Sequence, residues 1–214
     1  MPSALDSPQL RDFGFSDTQS GPHTARTIML EDLEGVLAHL DSGNPTPADF
    51  RTAIVEENCL SKKSGRTREL TWRHLTELYT MDRTVPIFRV MLYLWKREME
   101  GHAMLAALCA YPRDAILRRS FDWIGEVPVG EHLTRKYIEE RLMAAFPDRF
   151  SPASVKSIAQ NLNGTWTKTG HLVGRVRKIR EKAKPTPAAT AYALYLGYLT
   201  GLRGESLFHS PYAR

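Results

Sequence analysis

The sequence predicts a mostly α-helical protein. Apolar residues recur at helical spacings of three and four through most of the chain, and Ser-Pro and Thr-Pro pairs mark several helix starts. A strand-like pattern is confined to one stretch, residues 171–179 (HLVGRVRKI), which predicts a small β wing. The chain has 214 residues, 42% of them hydrophobic and 25% charged. That composition supports one large domain or two small ones with a real core.

The first part of the chain predicts a helical bundle. Residues 1–25 are rich in Ser, Asp, Gly and Pro without periodicity, so we predict a loose, flexible arm there. An N-terminal helical bundle is expected over residues 26–127. Its helices are predicted at about 30–40, 46–60, 64–79, 85–100, 102–111 and 112–124. The loop EVPVGEH (126–132) predicts the boundary to a C-terminal segment, residues 128–214.

Residues 151–184 organise the C-terminal segment. Ser151 followed by Pro152 predicts a helix start, because a hydroxyl caps a free backbone N–H and proline fits the first helical position. The predicted apolar face of this helix is Val155, Ile158, Ala159, Leu162 and Trp166. A helix over 134–146 and a turn at Pro147 precede it, which together predict a helix-turn-helix. A basic arm and a terminal helix over 186–200 complete the segment.

The outer face of the capped helix and the arm after it predict a nucleic-acid site. From Lys168 to Lys184 there are seven Lys or Arg and one acid, a net charge of +6 against +5 for the whole chain. This combination resembles a winged-helix reader, in which a helix enters a groove and an arm follows the phosphates. The predicted groove residues are Lys156, Gln160, Asn161, Thr167 and Lys168, and the predicted phosphate contacts are Arg175, Arg177, Lys178 and Arg180. The alternative interpretation is an amphipathic helix beside a solvated basic loop.

A second basic cluster lies at the start of the predicted third helix. It consists of Lys62, Lys63, Arg66, Arg68 and Arg73. We predict that Lys62, Lys63, Arg66 and Arg68 also bind nucleic acid. The alternative is that the cluster is simply a solvated helix start.

No motif of the sequence predicts catalysis. There is no Gly-rich phosphate loop, and the seven histidines are too scattered for a local metal-ligand motif. We therefore expect a non-enzymatic protein without a metal or cofactor. Cys59 and Cys109 lie in apolar helical contexts and are expected to be reduced thiols of a cytoplasmic protein. The uncharged stretch 185–202 is too short in its apolar part to span a bilayer, so we predict a buried helix and no membrane partner.

Two stretches resemble the BrxA family of BREX phage-defence systems. Residues 54–79 resemble its N-terminal signature, where an apolar helix ends in Asn-x-Leu and a basic Ser/Thr-rich link leads to an Arg-containing helix. The matching positions are Asn58, Leu60, Lys62, Lys63, Ser64, Thr67 and Arg68. Residues 151–174 are similar to the family's capped C-terminal helix, whose Gly-x-Leu ending corresponds to Gly170 to Leu172. The basic extension and last helix, 174–214, depart from the shorter family pattern.

The resemblance implies an all-helical, non-enzymatic protein that binds double-stranded DNA and serves phage defence with other defence proteins. It also implies that the N-terminal bundle is similar to the antitermination factor NusB. The residues by themselves indicate nucleic-acid binding and leave two alternatives open. One is an RNA-binding assembly module with Trp166 or Tyr212 stacking on bases, and the other is a helical protein–protein adaptor. They do not predict a DNA sequence preference or an oligomeric state.

Overall fold

The computed structural model describes residues 7–16, 21–41 and 43–213, and it is mostly helical, which confirms the predicted fold class. Helices α1 to α10 of this part of the chain span Pro8–Asp12, Leu30–His39, Pro47–Arg51, Gly65–Tyr79, Pro86–Trp95, His102–Ala110, Ala115–Gly125, Arg135–Ala145, Pro152–Lys168 and Pro187–Leu199. The short strands β1 (His132–Leu133), β2 (Leu172–Val173) and β3 (Lys178–Arg180) form an antiparallel sheet in the order β1-β3-β2.

Hydroxyl caps begin several helices where the sequence predicts them. Ser151 Oγ accepts the backbone N–H of Ser154 at 3.2 Å, with Pro152 at the first position of α9. Thr186 caps α10 in the same way. Each cap satisfies a backbone N–H that has no partner within its own helix. The predicted apolar face of α9 is buried throughout.

The terminal helix α10 belongs to the N-terminal bundle, which corrects its predicted place in the C-terminal segment. It packs on α5 and α6, and the hydroxyl of Tyr192 donates a hydrogen bond to the carbonyl of Ile87 at 2.9 Å. Ala188, Tyr192 and Leu196 are buried there. An uncharged helix needs cover on most of its surface, and the bundle supplies it. Within the described residues, no helix is long and apolar enough to cross a membrane.

Helix α7 packs with elements of the C-terminal segment, across the predicted boundary at 127/128. The indole N–H of Trp166 on α9 donates to Ser120 Oγ on α7 at 2.9 Å. Strand β1 after α7 pairs with β3, and α8 packs on α9. The unit therefore runs from α7 to β3 in the order α7-β1-α8-α9-β2-β3. Met143 on α8 is 52% exposed.

The described part of residues 1–25 is packed against the protein, which corrects the prediction of a loose arm. Leu10 and Phe15 are buried, and His23 has an exposed fraction of 0%. A short 3-10 helix, Pro22–Thr24, lies against α9. The part of the prediction that concerns residues 1–6 and 17–20 lies outside the described residues.

Candidate nucleic-acid interface

The outer face of α9 is divided into an open half and a covered half. Lys156, Ser157 and Gln160, on the first turns of the helix, are exposed to solvent. The later turns are covered by the N-terminal residues 22–31. Only the first half of the predicted groove face is therefore accessible.

The covered half uses its polar groups within the fold. The Asn161 side chain donates to the carbonyl of His23 at 3.1 Å, and the ammonium of Lys168 pairs with the Glu31 carboxylate. The hydrogen bond from Lys168 lowers the pKa of Glu31. Thr167 donates its hydroxyl hydrogen back to the Asn163 carbonyl at 2.7 Å. We therefore leave Asn161, Thr167 and Lys168 out of the candidate interface.

The β2–β3 hairpin carries the arginines that remain free. Val176 at its tip is 94% exposed, and Arg175 and Arg177 on either side are exposed as well. Within the described part of the chain, neither arginine has a hydrogen-bond or ion-pair partner. Two unpaired guanidinium groups on a protruding hairpin are suited to phosphate contacts, because their donors are not engaged elsewhere.

Gly174 makes the tight turn of this hairpin possible. Its φ is +95°, a region that side chains disfavour, and a Cβ atom there would lie 2.1 Å from the carbonyl oxygen of Arg177. The nearest atom is backbone, so it cannot rotate away. The position of Arg175 and Arg177 thus depends on a glycine at 174.

Replacing Gly174 with alanine is expected to open the hairpin and cost about 1–3 kcal/mol of folding free energy. The helical circular dichroism spectrum should be retained, because the helices do not depend on this turn. Urea unfolding measures the loss. Gly125→Ala is the control, since among the described residues no atom outside its own helix backbone and its chain neighbours lies within 4 Å of the position of its Cβ. Equal stability of the two variants would contradict the role given to Gly174.

Two other predicted phosphate contacts have structural partners. The ammonium of Lys178 donates to the Gly174 carbonyl at 2.7 Å and so closes the hairpin. The guanidinium of Arg180 donates to the carbonyls of Ile124 and His171, both at 3.1 Å, and also to that of Glu181. Ile124 lies near the end of α7, and its carbonyl also accepts the backbone N–H of Val127 at 3.2 Å. Desolvation lowers the pKa of Arg180. Arg180 therefore ties the sheet to α7.

The second basic cluster is also divided. Lys62 pairs with Asp32 at 2.6 Å, and Arg68 donates to the carbonyl of Val55 at 2.5 Å. Val55 lies in a π-helical turn, Thr52–Glu56, that continues α3 where the sequence predicted one regular helix. Lys63 and Arg66 are exposed and have no partner among the described residues.

The start of α2 lies between the two basic regions. Glu31 and Asp32 are neighbours in its first turn, and they hold Lys168 and Lys62 respectively. The link before α4 and the end of α9 are therefore both joined by an ion pair to the first turn of α2. Lys156, twelve residues before Lys168, lies about 18 Å along α9 from that point, at 1.5 Å per residue.

A buried polar relay lies behind α9. His23 Nδ1 donates to Asp114 Oδ2 at 2.9 Å, His23 Nε2 lies 2.9 Å from Thr165 Oγ1, and that oxygen accepts the N–H of Ile28. Threonine, histidine and aspartate in this order resemble a hydrolase triad. All three side chains have an exposed fraction of 0%, so substrate cannot reach them. Among the described residues, no three His, Cys, Asp or Glu side chains are grouped to hold a metal ion.

Comparison with known proteins adds no family. No protein-family model matches the chain, and no curated protein matches its sequence. A functional assignment therefore depends on the geometry described above.

Proposed function

We propose that the protein binds double-stranded DNA through the first half of α9 and the β2–β3 hairpin. The observation that supports this most is the arrangement of the unit from α7 to β3. Its order helix, strand, helix, helix, strand, strand, with the sheet order β1-β3-β2, resembles that of a winged helix, a helix-turn-helix variant, and this resemblance supports the proposal. In this arrangement the exposed face of α9 and the hairpin with its free arginines belong to the same small unit.

The exposed residues divide naturally into two roles. Arg175, Arg177 and Lys156 supply charge for the phosphates, which gives affinity without sequence preference. The Gln160 amide has the donor and acceptor that pair with an adenine edge in the major groove. The overall charge of +5 and the sequence pI near 9.3 agree with a polyanionic partner.

Duplex binding by the unmodified protein should weaken steeply with salt. Three phosphate contacts predict that log K falls with log salt with a slope of about −2.7. Fluorescence anisotropy of a labelled 20-base-pair duplex between 50 and 200 mM NaCl measures this slope, with single-stranded DNA and a structured RNA as comparisons. Absent or salt-independent duplex binding would contradict the proposal.

The proposed cellular role is accessory to BREX-type phage defence. It is supported by the motif resemblance alone. In the structure, the matching residue Asn58 has a left-handed backbone (φ 54°), and its amide group bonds the N–H and carbonyl of Lys62. Arg68 closes the preceding π-helical turn. The shared residues therefore build a loop of the fold, and phage plating with the interface variant described in the Discussion tests the role itself.

A second candidate function, binding of single-stranded RNA, is favoured by an Arg–Tyr strip on the bundle. The guanidinium of Arg97 lies 3.3 Å from the ring centre of Tyr93, and that of Arg203 lies 3.8 Å from the ring centre of Tyr198. The two rings are 58% and 50% exposed. Exposed aromatic rings beside arginines can stack with unpaired bases.

The strip continues between these two pairs. Arg89 precedes Tyr93 by one helical turn on α5. Burial raises the pKa of Tyr195 on α10, and the nearby charge of Arg89 opposes this rise. Tyr195 lies three residues before Tyr198. Trp166 and Tyr212, the aromatic residues that the sequence suggested for stacking, are buried at 3% and 8% exposure. Tighter binding of RNA than of duplex DNA in the anisotropy experiment would favour the strip over α9.

A further inference from the structure

A cavity of about 480 Å³ lies behind the β2–β3 hairpin, between the bundle and the C-terminal unit. Its volume falls within the range of roughly 300–1,000 Å³ that is usual for small-molecule sites. Exposed residues, among them Lys182, Thr190 and Phe208, form its mouth.

The walls of the cavity are aromatic and apolar. The rings come from Tyr111 just after α6, Phe121 of α7, Trp166 of α9 and Tyr212 near the C-terminal end. Small alanine side chains of α6 and α10, such as Ala189, leave the space between them open. Among the described residues, no carboxylate lines it, and the guanidinium of Arg180 is already bonded to backbone carbonyls. The ammonium of Lys182 lies at the exposed mouth, so the interior walls favour an uncharged ring system.

His171 provides one polar atom without a partner. Its side chain is only 9% exposed and lines the cavity. Thr169 donates its single hydroxyl hydrogen to the Trp166 carbonyl at 3.2 Å, so its oxygen accepts from His171 Nδ1–H at 2.8 Å. The lone pair of His171 Nε2 then has no hydrogen-bond partner among the described residues.

The ring of His171 is neutral, and its free nitrogen is in contact with open space. Burial, together with the charge of Arg180, lowers the pKa of His171 to about 4. Nε2 has no partner among the described residues, but it is not fully enclosed by protein atoms. It therefore has access to the cavity that His171 lines. A buried acceptor without a partner is costly, and a donor on a bound molecule would satisfy it.

We propose that this cavity binds an uncharged aromatic small molecule with one N–H or O–H donor, which His171 Nε2 accepts. The aromatic walls would hold the ring system, and the hydrogen bond would select donors over isosteres that lack one. The site is separate from the exposed face of α9 and from the hairpin arginines, and it does not depend on the proposed DNA binding.

Indole and benzofuran test the proposal directly, because they differ by one N–H in place of a ring oxygen. Ligand-observed NMR titration of the full chain at pH 7 should show indole binding about tenfold more tightly than benzofuran. No binding of either probe, or equal binding of both, would overturn the proposal. This comparison needs no variant, so a folding defect cannot obscure it.

Two variants locate the binding. His171→Leu removes the acceptor and should make the two affinities equal by weakening indole. Thr190→Trp places a larger side chain at the exposed mouth. It should weaken binding of both probes by at least about tenfold, because the new side chain occupies space and the probes lose contact area with the cavity walls. Retention of the tenfold preference in folded His171→Leu, or unchanged binding in Thr190→Trp, would place the probes elsewhere and overturn the assignment of this cavity.

Discussion

Replacing Lys156, Arg175 and Arg177 together with alanine is expected to weaken duplex binding at least about 100-fold at 0.15 M salt. Each lost charge-assisted hydrogen bond to phosphate costs about 1.5 kcal/mol, roughly tenfold in affinity. The slope of log K against log salt should become shallower by about 2.7, or 0.9 per phosphate. The fold should tolerate the change, since all three side chains are exposed and have no partner among the described residues.

A variant with equal loss of charge provides the control. Replacing Arg89, Arg97 and Arg203 with alanine also removes three positive charges, but from the Arg–Tyr strip on the bundle. Duplex affinity should change less than about threefold there, through the weaker long-range field alone. Equal losses in both variants would mean diffuse attraction to a basic protein. If only the strip variant lost affinity, and the affinity that it lost was for RNA, binding of single-stranded RNA would replace duplex binding as the proposed function.

Local signals were enough to predict α9. A cap and a proline at its start, and a buried residue every third or fourth position, are features of contiguous sequence. The same holds for the hairpin, where Val173 and Val176 lie on the two sides of Gly174. These predictions succeeded because short-range sterics and the helical period decide them.

The cover over the second half of α9 could not be predicted in this way. Asn161 and Lys168 have the spacing of an outer face, and on α9 alone they are outward. Their partners His23 and Glu31 lie more than 130 residues earlier, and His23 lies in a segment that shows no periodicity. A buried histidine that bonds a helix side chain gives no repeating pattern. Which half of the outer face of α9 is accessible therefore follows from the three-dimensional fold and not from the local sequence.

The position of α7 was missed for a related reason. The exposed loop after α7 looks like a domain boundary, and the loop before it is short. The decisive contacts are long-range: Trp166 with Ser120, and Arg180 with the carbonyl of Ile124. Strand β1 has two residues, too few to show a period of two. Pairing with β3, rather than local sequence, defines it.

Asp114→Ala is expected to lower the free energy of unfolding by about 3–5 kcal/mol, as when one partner of a buried, hydrogen-bonded ion pair is removed. Asp114 is fully buried and accepts four hydrogen bonds. Oδ1 accepts the N–H groups of Ile116 and Leu117 and caps α7, while Oδ2 accepts the backbone N–H and the ring Nδ1–H of His23. Alanine leaves these donors buried without partners.

The loss should spread to α9, because His23 also bonds Thr165 and its carbonyl accepts from Asn161. The matched control is Thr134→Ala. Thr134 caps α8 by accepting the N–H of Tyr137, but it is exposed, so its loss should cost about 1 kcal/mol. Urea unfolding of both variants measures the difference. Similar costs would mean that the cap accounts for the whole effect and that the bond to His23 adds nothing.

The pH dependence of this difference separates the carboxylate from mere packing. Burial alone raises the pKa of Asp114, but the interactions with His23 and the N–H of Leu117 outweigh it and lower the pKa overall. A carboxyl group whose pKa is lower in the folded chain stabilises the fold above its unfolded pKa of about 3.9, and this stabilisation is lost as the pH falls towards the folded value. The gap between wild type and Asp114→Ala should therefore narrow as the pH falls below about pH 4. A gap that stays constant down to pH 3 would show that Asp114 stabilises the fold by filling space rather than by its charge.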